Sequence, residues 1–148
     1  MIRPATGADV PAIAALVERA YAHYVERLGR RPAPMDADHG AHVAAGDQYV
    51  LVDGTGAIVG AIVVATREDH VYVDNVAVAP ERQGERLGRA LLEFADDEAA
   101  RRGRRELRLH TNVVMTENQR IYPRLGYEEA GRETVGVYER VLFRKRLG

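Results

Sequence analysis

Val76-Ala77-Val78-Ala79-Pro80-Glu81-Arg82-Gln83-Gly84-Glu85-Arg86-Leu87-Gly88-Arg89-Ala90-Leu91-Leu92 runs from alternating valines, through a turn bearing proline and glycine, into a leucine-rich segment. The alternation marks a strand. Leu87, Leu91, Phe94 and Ala95 then mark one face of a helix whose other face carries Arg, Glu and Asp. A strand that turns through glycine into a helix aims several unpaired N–H groups, and the positive end of the helix dipole, at one point. Such a point binds phosphate. The spacing departs from both nucleotide fingerprints: Gly84 and Gly88 have no third glycine, and no Lys followed by Ser or Thr comes after the last one.

Upstream of this stretch, Tyr49-Val50-Leu51-Val52, Ala57 to Thr66 and Val71 to Val78 read as strands, separated by turns at Asp53-Gly54-Thr55-Gly56 and Arg67 to His70. They form an antiparallel meander. Before them, after a short strand-like start, Thr6 is placed to cap a helix and apolar residues recur at Val10, Ile13, Val17, Tyr21, Tyr24 and Leu28. The pattern predicts two consecutive helices, with Gly29 and Pro32-Ala33-Pro34 stopping it before a short helix from about Asp36 to Ala45, closed by Gly46. The intervening loop is a candidate lid. Downstream, the helix from about Leu87 ends at Gly103, and Leu107 and Leu109 alternate with Arg108 and His110 in a further strand. A short helix from about Thr116 to Leu125 precedes Gly126, and strands follow at about 127–132 and 137–146. The expected class is α+β: one central mixed, mostly antiparallel sheet of about seven strands, flanked by about four or five helices.

Composition agrees with a single soluble domain over residues 1–148, since 46% of them are hydrophobic and 29% charged. The absence of cysteine excludes thiolate chemistry, Cys-ligated zinc and iron–sulfur clusters. With 21 Lys+Arg against 22 Asp+Glu, the surface as a whole is no sink for nucleic acid or anionic lipid. The longest apolar stretch, Ala57 to Ala65, is about half of the ~20 residues a membrane-spanning helix needs. No apolar run follows the charge of the N-terminus, so no secretory signal is visible and a cytoplasmic location is expected.

The quoted stretch resembles the GNAT superfamily of N-acetyltransferases, whose signature loop reads Gln/Arg-x-x-Gly-x-Gly/Ala between a strand ending Val-x-Val-x-Pro and a helix with a Leu-Leu pair. Val76, Val78, Pro80, Gln83, Gly88, Leu91 and Leu92 match it. A second family hallmark, Leu-Tyr-x-x-x-Gly-Phe, corresponds to Ile121-Tyr122-Pro123-Arg124-Leu125-Gly126-Tyr127. Two positions depart from the pattern: Arg86 stands where the loop has its first glycine, and the asparagine that usually opens the second motif is replaced around Met115-Thr116. Asn118, one turn before Tyr122 on the same helix face, can supply that polar contact. The resemblance implies a GNAT-like fold and an acetyl-CoA-dependent N-acetyltransferase acting by direct attack in a ternary complex, with no metal. It implies that Gln83, Gly84, Glu85, Arg86, Leu87, Gly88 and Arg89 carry the pyrophosphate, and that backbone groups of Val76, Ala77 and Val78 hold the pantetheine arm and thioester. A non-catalytic acyl-CoA-binding or interaction module of the same fold is the alternative.

For the chemistry, a primary amine must lose a proton and the departing thiolate must gain one. Tyr122, a phenol with an ordinary pKa of about 10, suits the donor role. For the base, Asp74 shares a strand face with Val76 and Val78 by period-two geometry, and His110 on the neighbouring strand competes for the role with a pKa near neutrality. Tyr21 and Tyr24 either line an acceptor pocket or pack in the core. His39 and His42, near Asp36 and Asp38, read as a solvated helix face rather than a metal site. Arg101-Arg102-Gly103-Arg104-Arg105 reads as a solvated helix end whose cations complement the dipole. The acceptor, a small-molecule or peptide amine, is set by loops; a homodimer is one expectation, since dimers are the commonest oligomers in general.

Overall fold

The chain forms seven strands: β1 (Ile2–Pro4), β2 (Gln48–Val52), β3 (Ile58–Thr66), β4 (Val71–Val78), β5 (Glu106–Asn112), β6 (Glu128–Val135) and β7 (Tyr138–Arg146). In the computed structural model, which describes residues Met1–Gly148, they form one sheet in the order β1-β2-β3-β4-β5-β7-β6. Only β4 and β5 run parallel; the other neighbours are antiparallel. Four helices accompany the sheet: α1 (Val10–Leu28), α2 (His39–Ala44), α3 (Leu87–Arg101) and α4 (Thr116–Arg124). This is the α+β mixed sheet expected from the sequence. No helix is long and apolar enough to cross a membrane.

The elements differ from expectation at their ends, for local reasons. Thr6 and Asp9 form a capping box on a 3-10 turn, Gly7–Asp9, that leads into α1. Helix α1 then runs unbroken to Gly29, whose left-handed φ of 77° ends it. The proline-bearing loop forms a second 3-10 turn, Ala33–Asp36, and α2 begins only at His39, where Asp38 Oδ1 accepts the Ala41 N–H at 3.0 Å. Strand β6 extends to Val135 because a two-residue turn, with Gly136 at φ 59°, lets Val135 pair with Tyr138.

Helices α1 and α3 both pack on β3 and β4. Helix α3 sits close because Gly60 has no side chain: a Cβ there would lie 3.2 Å from both Leu51 Cβ and Leu91 Cδ1. Ile62, Val64, Val71, Val73 and Leu91 are almost fully buried in the resulting core.

Two irregularities of β4 position everything that follows. Val63 pairs with Asp74 but Ala61 pairs with Ala77, so two steps on β3 match three on β4. The extra residue is a β-bulge at Asn75, which takes a left-handed φ of 49°. Cross-strand partners share a face. Asp74 therefore shares its face with Ala77, while Val76 and Val78 turn to the α3 side, where Val78 Cγ2 approaches the Cβ position of Gly88. The common face expected for Asp74, Val76 and Val78 does not form. The second irregularity is that β4 pairs with β5 only at Val71↔Leu107 and Tyr72↔Arg108. Beyond them the two strands part.

Candidate active site

The gap between the parted strands holds a cavity of about 60 Å³, bounded by Val73 to Val76 on β4 and Leu109 to Asn112 on β5. Pro32, Ala33 and Pro34, from the loop read as a candidate lid, line it on one side. Tyr138 Oη donates to the Arg31 carbonyl at 2.9 Å and anchors that loop. A larger cleft of about 510 Å³ runs past Val76, Ala77 and Val78 to the loop from Gln83 to Arg89, walled by α1 and α4. Tyr21, Val76, Asn118 and Tyr122 line both spaces and so mark their junction.

At the far end of the cleft the loop is built from two left-handed residues, Gly84 (φ 93°) and Arg86 (φ 62°, ψ 26°). Arg86 is the N-cap of α3, and the Ala90 N–H is the first to return to its carbonyl, at 3.1 Å. The N–H groups of Leu87, Gly88 and Arg89 therefore lack helical partners and point outward at the positive end of a 15-residue helix. A Cβ on Gly84 would meet nothing within 4 Å. This open amide floor, beside Arg86 and Arg89, suits a pyrophosphate.

Glu85, expected among the cofactor-binding residues, does not line the cleft. Arg82 Nε and Nη2 hold its carboxylate at 2.8 and 3.0 Å, and Arg82 Nη1 reaches Asp53 at 2.9 Å. The Thr55 hydroxyl and neighbouring N–H groups, with Arg82, bring the Asp53 carboxyl down to about 2. A carboxylate facing bound phosphate would repel it, and this bidentate pairing turns Glu85 aside while leaving Arg82 on the cleft wall. Nothing local in the sequence distinguishes Arg82 from other surface arginines; its place on the wall comes from the fold.

Tyr122 ends α4. Its carbonyl accepts N–H groups from Leu125 and Tyr127, at 3.0 and 3.1 Å, and Gly126 reverses the chain at φ 96°. Its ring packs on Tyr127 and Phe143, with centroids 5.8 and 5.4 Å away. Burial pushes its phenol well above the ordinary value, so the proton stays on at any working pH. Burial does the same to Tyr21, whose hydroxyl proton is already committed to the Val76 carbonyl at 2.9 Å. Tyr24 lines the larger cleft.

Both candidate bases reach the smaller cavity. Asp74 Oδ1 accepts the N–H of Asn75 at 2.9 Å. His110 Nδ1 is hydrogen-bonded to the Tyr72 hydroxyl. Burial, and then the charge of Arg140, lower the His110 pKa, against the opposing pull of Asp74 and Glu133. Burial also lifts the Tyr72 phenol to about 12. Pairing of Tyr72 with Arg108 and of Asn112 with Arg140, combined with strand alternation, places Tyr72, Asp74, His110, Asn112 and Arg140 on one face of the sheet. Asn112 and Arg140 were not among the expected site residues. Alternation within β7 marks Arg140 only as polar, and its neighbours come from β5.

Two other readings change. His39 is 7% exposed with Nδ1 unpartnered, so it packs inward rather than lying on a solvated face. No group of three potential metal ligands is present. Arg102 is a bracket rather than a solvated helix end, donating to the Val64 carbonyl at 3.1 Å and to the Tyr49 hydroxyl at 2.8 Å.

A family model described as the acetyltransferase (GNAT) domain matches residues 44–129. Among curated proteins, none matches the chain in sequence. Of solved structures, the ribosomal-protein-S18-alanine N-acetyltransferase from Escherichia coli superposes with a TM-score of 0.78 at 23% identity, over 100% of this chain and 94% of that one. The PaiA N-acetyltransferase from Thermoplasma acidophilum, in complex with coenzyme A, gives 0.82 at 13% identity, over 99% and 98%. Nourseothricin acetyltransferase gives 0.63 at 24% identity, over 68% of this chain and 65% of that chain's length. At these identities the likeness establishes the fold alone.

Proposed function

The chain belongs to the GNAT acetyltransferase family, and on that premise we propose that residues 1–148 act as one N-acetyltransferase domain moving an acetyl group from acetyl-CoA to an amine by direct attack in a ternary complex. The observation that carries this reading is the meeting of an amide-floored cleft and a smaller cavity holding Asp74 and His110 at Tyr21, Val76, Asn118 and Tyr122.

Bound acetyl-CoA supplies an activated acyl group. The N–H groups of Leu87, Gly88 and Arg89, with the Arg86 guanidinium, hold its pyrophosphate, and Gln83 and Gly84 shape the loop around it. Backbone groups of Val76, Ala77 and Val78 orient the pantetheine arm along the edge of β4, where amides that have lost a strand partner are free to polarise the thioester oxygen. Asn118 adds a polar contact at the junction. Asp74 takes the proton of the acceptor ammonium, directly or through water, with His110 as the competing base. Tyr122, kept protonated by burial, donates to the departing thiolate. The acceptor is a small-molecule or peptide amine.

A thiol-release screen of amines with acetyl-CoA tests the reading. CoA and acetyl-CoA are expected to bind one per chain and raise Tm, with NAD and ATP doing so much less. Equal stabilisation by ATP would show a site that recognises polyphosphate only, and no stabilisation by any of them would remove the acetyl-CoA assignment.

A further inference from the structure

The smaller cavity is lined by 17 residues, of which only Asp74 and Arg140 carry a formal charge. The two do not form an ion pair with each other. Within the protein, Asp74 accepts only the N–H of Asn75. The nearest carboxylate to Arg140 is Glu133, its cross-strand partner on β6, at 3.6 Å. That is long beside the ~2.7–2.9 Å of a charge-assisted hydrogen bond. The Arg140 side chain is only 23% exposed, so water does not fully replace the missing anion. Asn112 stands opposite Arg140 in the β5–β7 register. Its Oδ1 accepts the Val114 N–H at 3.1 Å, which leaves its amide N–H groups as donors. Tyr138, two residues before Arg140 on the same strand face, holds the loop over this end of the cavity.

A cavity with one unpaired anion and one under-paired cation is complementary to a ligand carrying both charges. We propose that the acceptor is a small amine bearing a carboxylate, of the amino-acid class, with its ammonium at Asp74 and its carboxylate at Arg140 and Asn112. This rests on the amine-acetylation reading above. The cavity, about 60 Å³, has room for several water-sized groups, so a small ligand rather than a single ion fits it. A polyamine or aminoglycoside would bring only cations to Arg140, and a protein N-terminus would have to displace the proline loop.

The test compares amino acids with their own neutral carboxamides as acceptors, in the parent protein and in Arg140→Gln and Arg140→Lys, following CoA release. The acids are expected to exceed their amides at least about tenfold in kcat/KM, chiefly through KM. Arg140→Gln should remove that preference with acetyl-CoA affinity unchanged, and Arg140→Lys should restore part of it. Equal use of acids and amides, or a preference that survives in Arg140→Gln, overturns the inference and leaves the acetylation reading standing. Absence of transfer to any amine while acetyl-CoA still binds overturns both.

Discussion

Tyr21 Oη donates a 2.9 Å hydrogen bond to the carbonyl oxygen of Val76, one residue past the bulge at Asn75. The bond ties α1 to the edge of β4 where the smaller cavity and the larger cleft join. Tyr21→Phe leaves that carbonyl without its partner and is expected to cost about 1–3 kcal/mol in urea unfolding. It should also lower kcat/KM by loosening the junction. Unchanged stability and activity would mean that water replaces the hydroxyl fully.

Tyr122→Phe keeps the ring packed on Tyr127 and Phe143. Acetyl-CoA affinity should stay within a few-fold while kcat falls roughly a hundredfold, the usual scale for a lost general acid. Unchanged kcat would leave Tyr122 with a packing role alone.

Arg86 occupies a left-handed conformation that disfavours a side chain. Arg86→Gly is expected to stabilise the fold by about 1 kcal/mol, read by denaturant titration. It also removes a cation from the cleft, so CoA binding should weaken several-fold at low salt, and Arg86→Glu should weaken it further. Both differences should shrink as salt rises. Tighter CoA binding by Arg86→Gly would show that the arginine obstructs the loop.

His110 carries an imidazole pKa lowered from its ordinary 6.5 by burial and Arg140, with Tyr72, Asp74 and Glu133 also facing it. A lowered folded-state value means that the unfolded chain binds the proton more readily. Stability is therefore fully present above pH 6.5 and falls as pH drops from there through the folded value. His110→Gln should flatten that limb of the stability curve. Run beside Asp74→Asn, it also separates the two bases, since only loss of the true base should alter the acidic limb of the pH–rate profile.

Gly60 faces contacts at 3.2 Å from two sides. Gly60→Ala should push α3 off the sheet and cost about 1–3 kcal/mol, lowering Tm. An unchanged Tm would mean that Leu91 repacks freely.

Much of the fold was legible locally. The Val71–Val78 strand, the turn through Gly84 and the leucine face of α3 announce themselves by spacing, because period and turn chemistry are properties of neighbouring residues. The Tyr122 to Gly126 helix end was legible for the same reason. The side on which Asp74 points was not, because strict alternation fails at a bulge whose existence depends on how β4 pairs with β3. Nor was the turning aside of Glu85, which depends on Arg82 finding Asp53 from a distant hairpin as well.

What the sequence determined by itself was the order of elements and the chemistry of the loop at the start of α3, both set by contacts within a few residues. What only the tertiary structure decided was which charges share a cavity. Asp74 and Arg140 come together because β4 and β5 pair for two residues and then part, while β7 closes against β5 with Arg140 opposite Asn112. Register between distant strands is a property of the assembled sheet, fixed by burial and backbone hydrogen bonding over its whole face, and no short stretch of the chain encodes it.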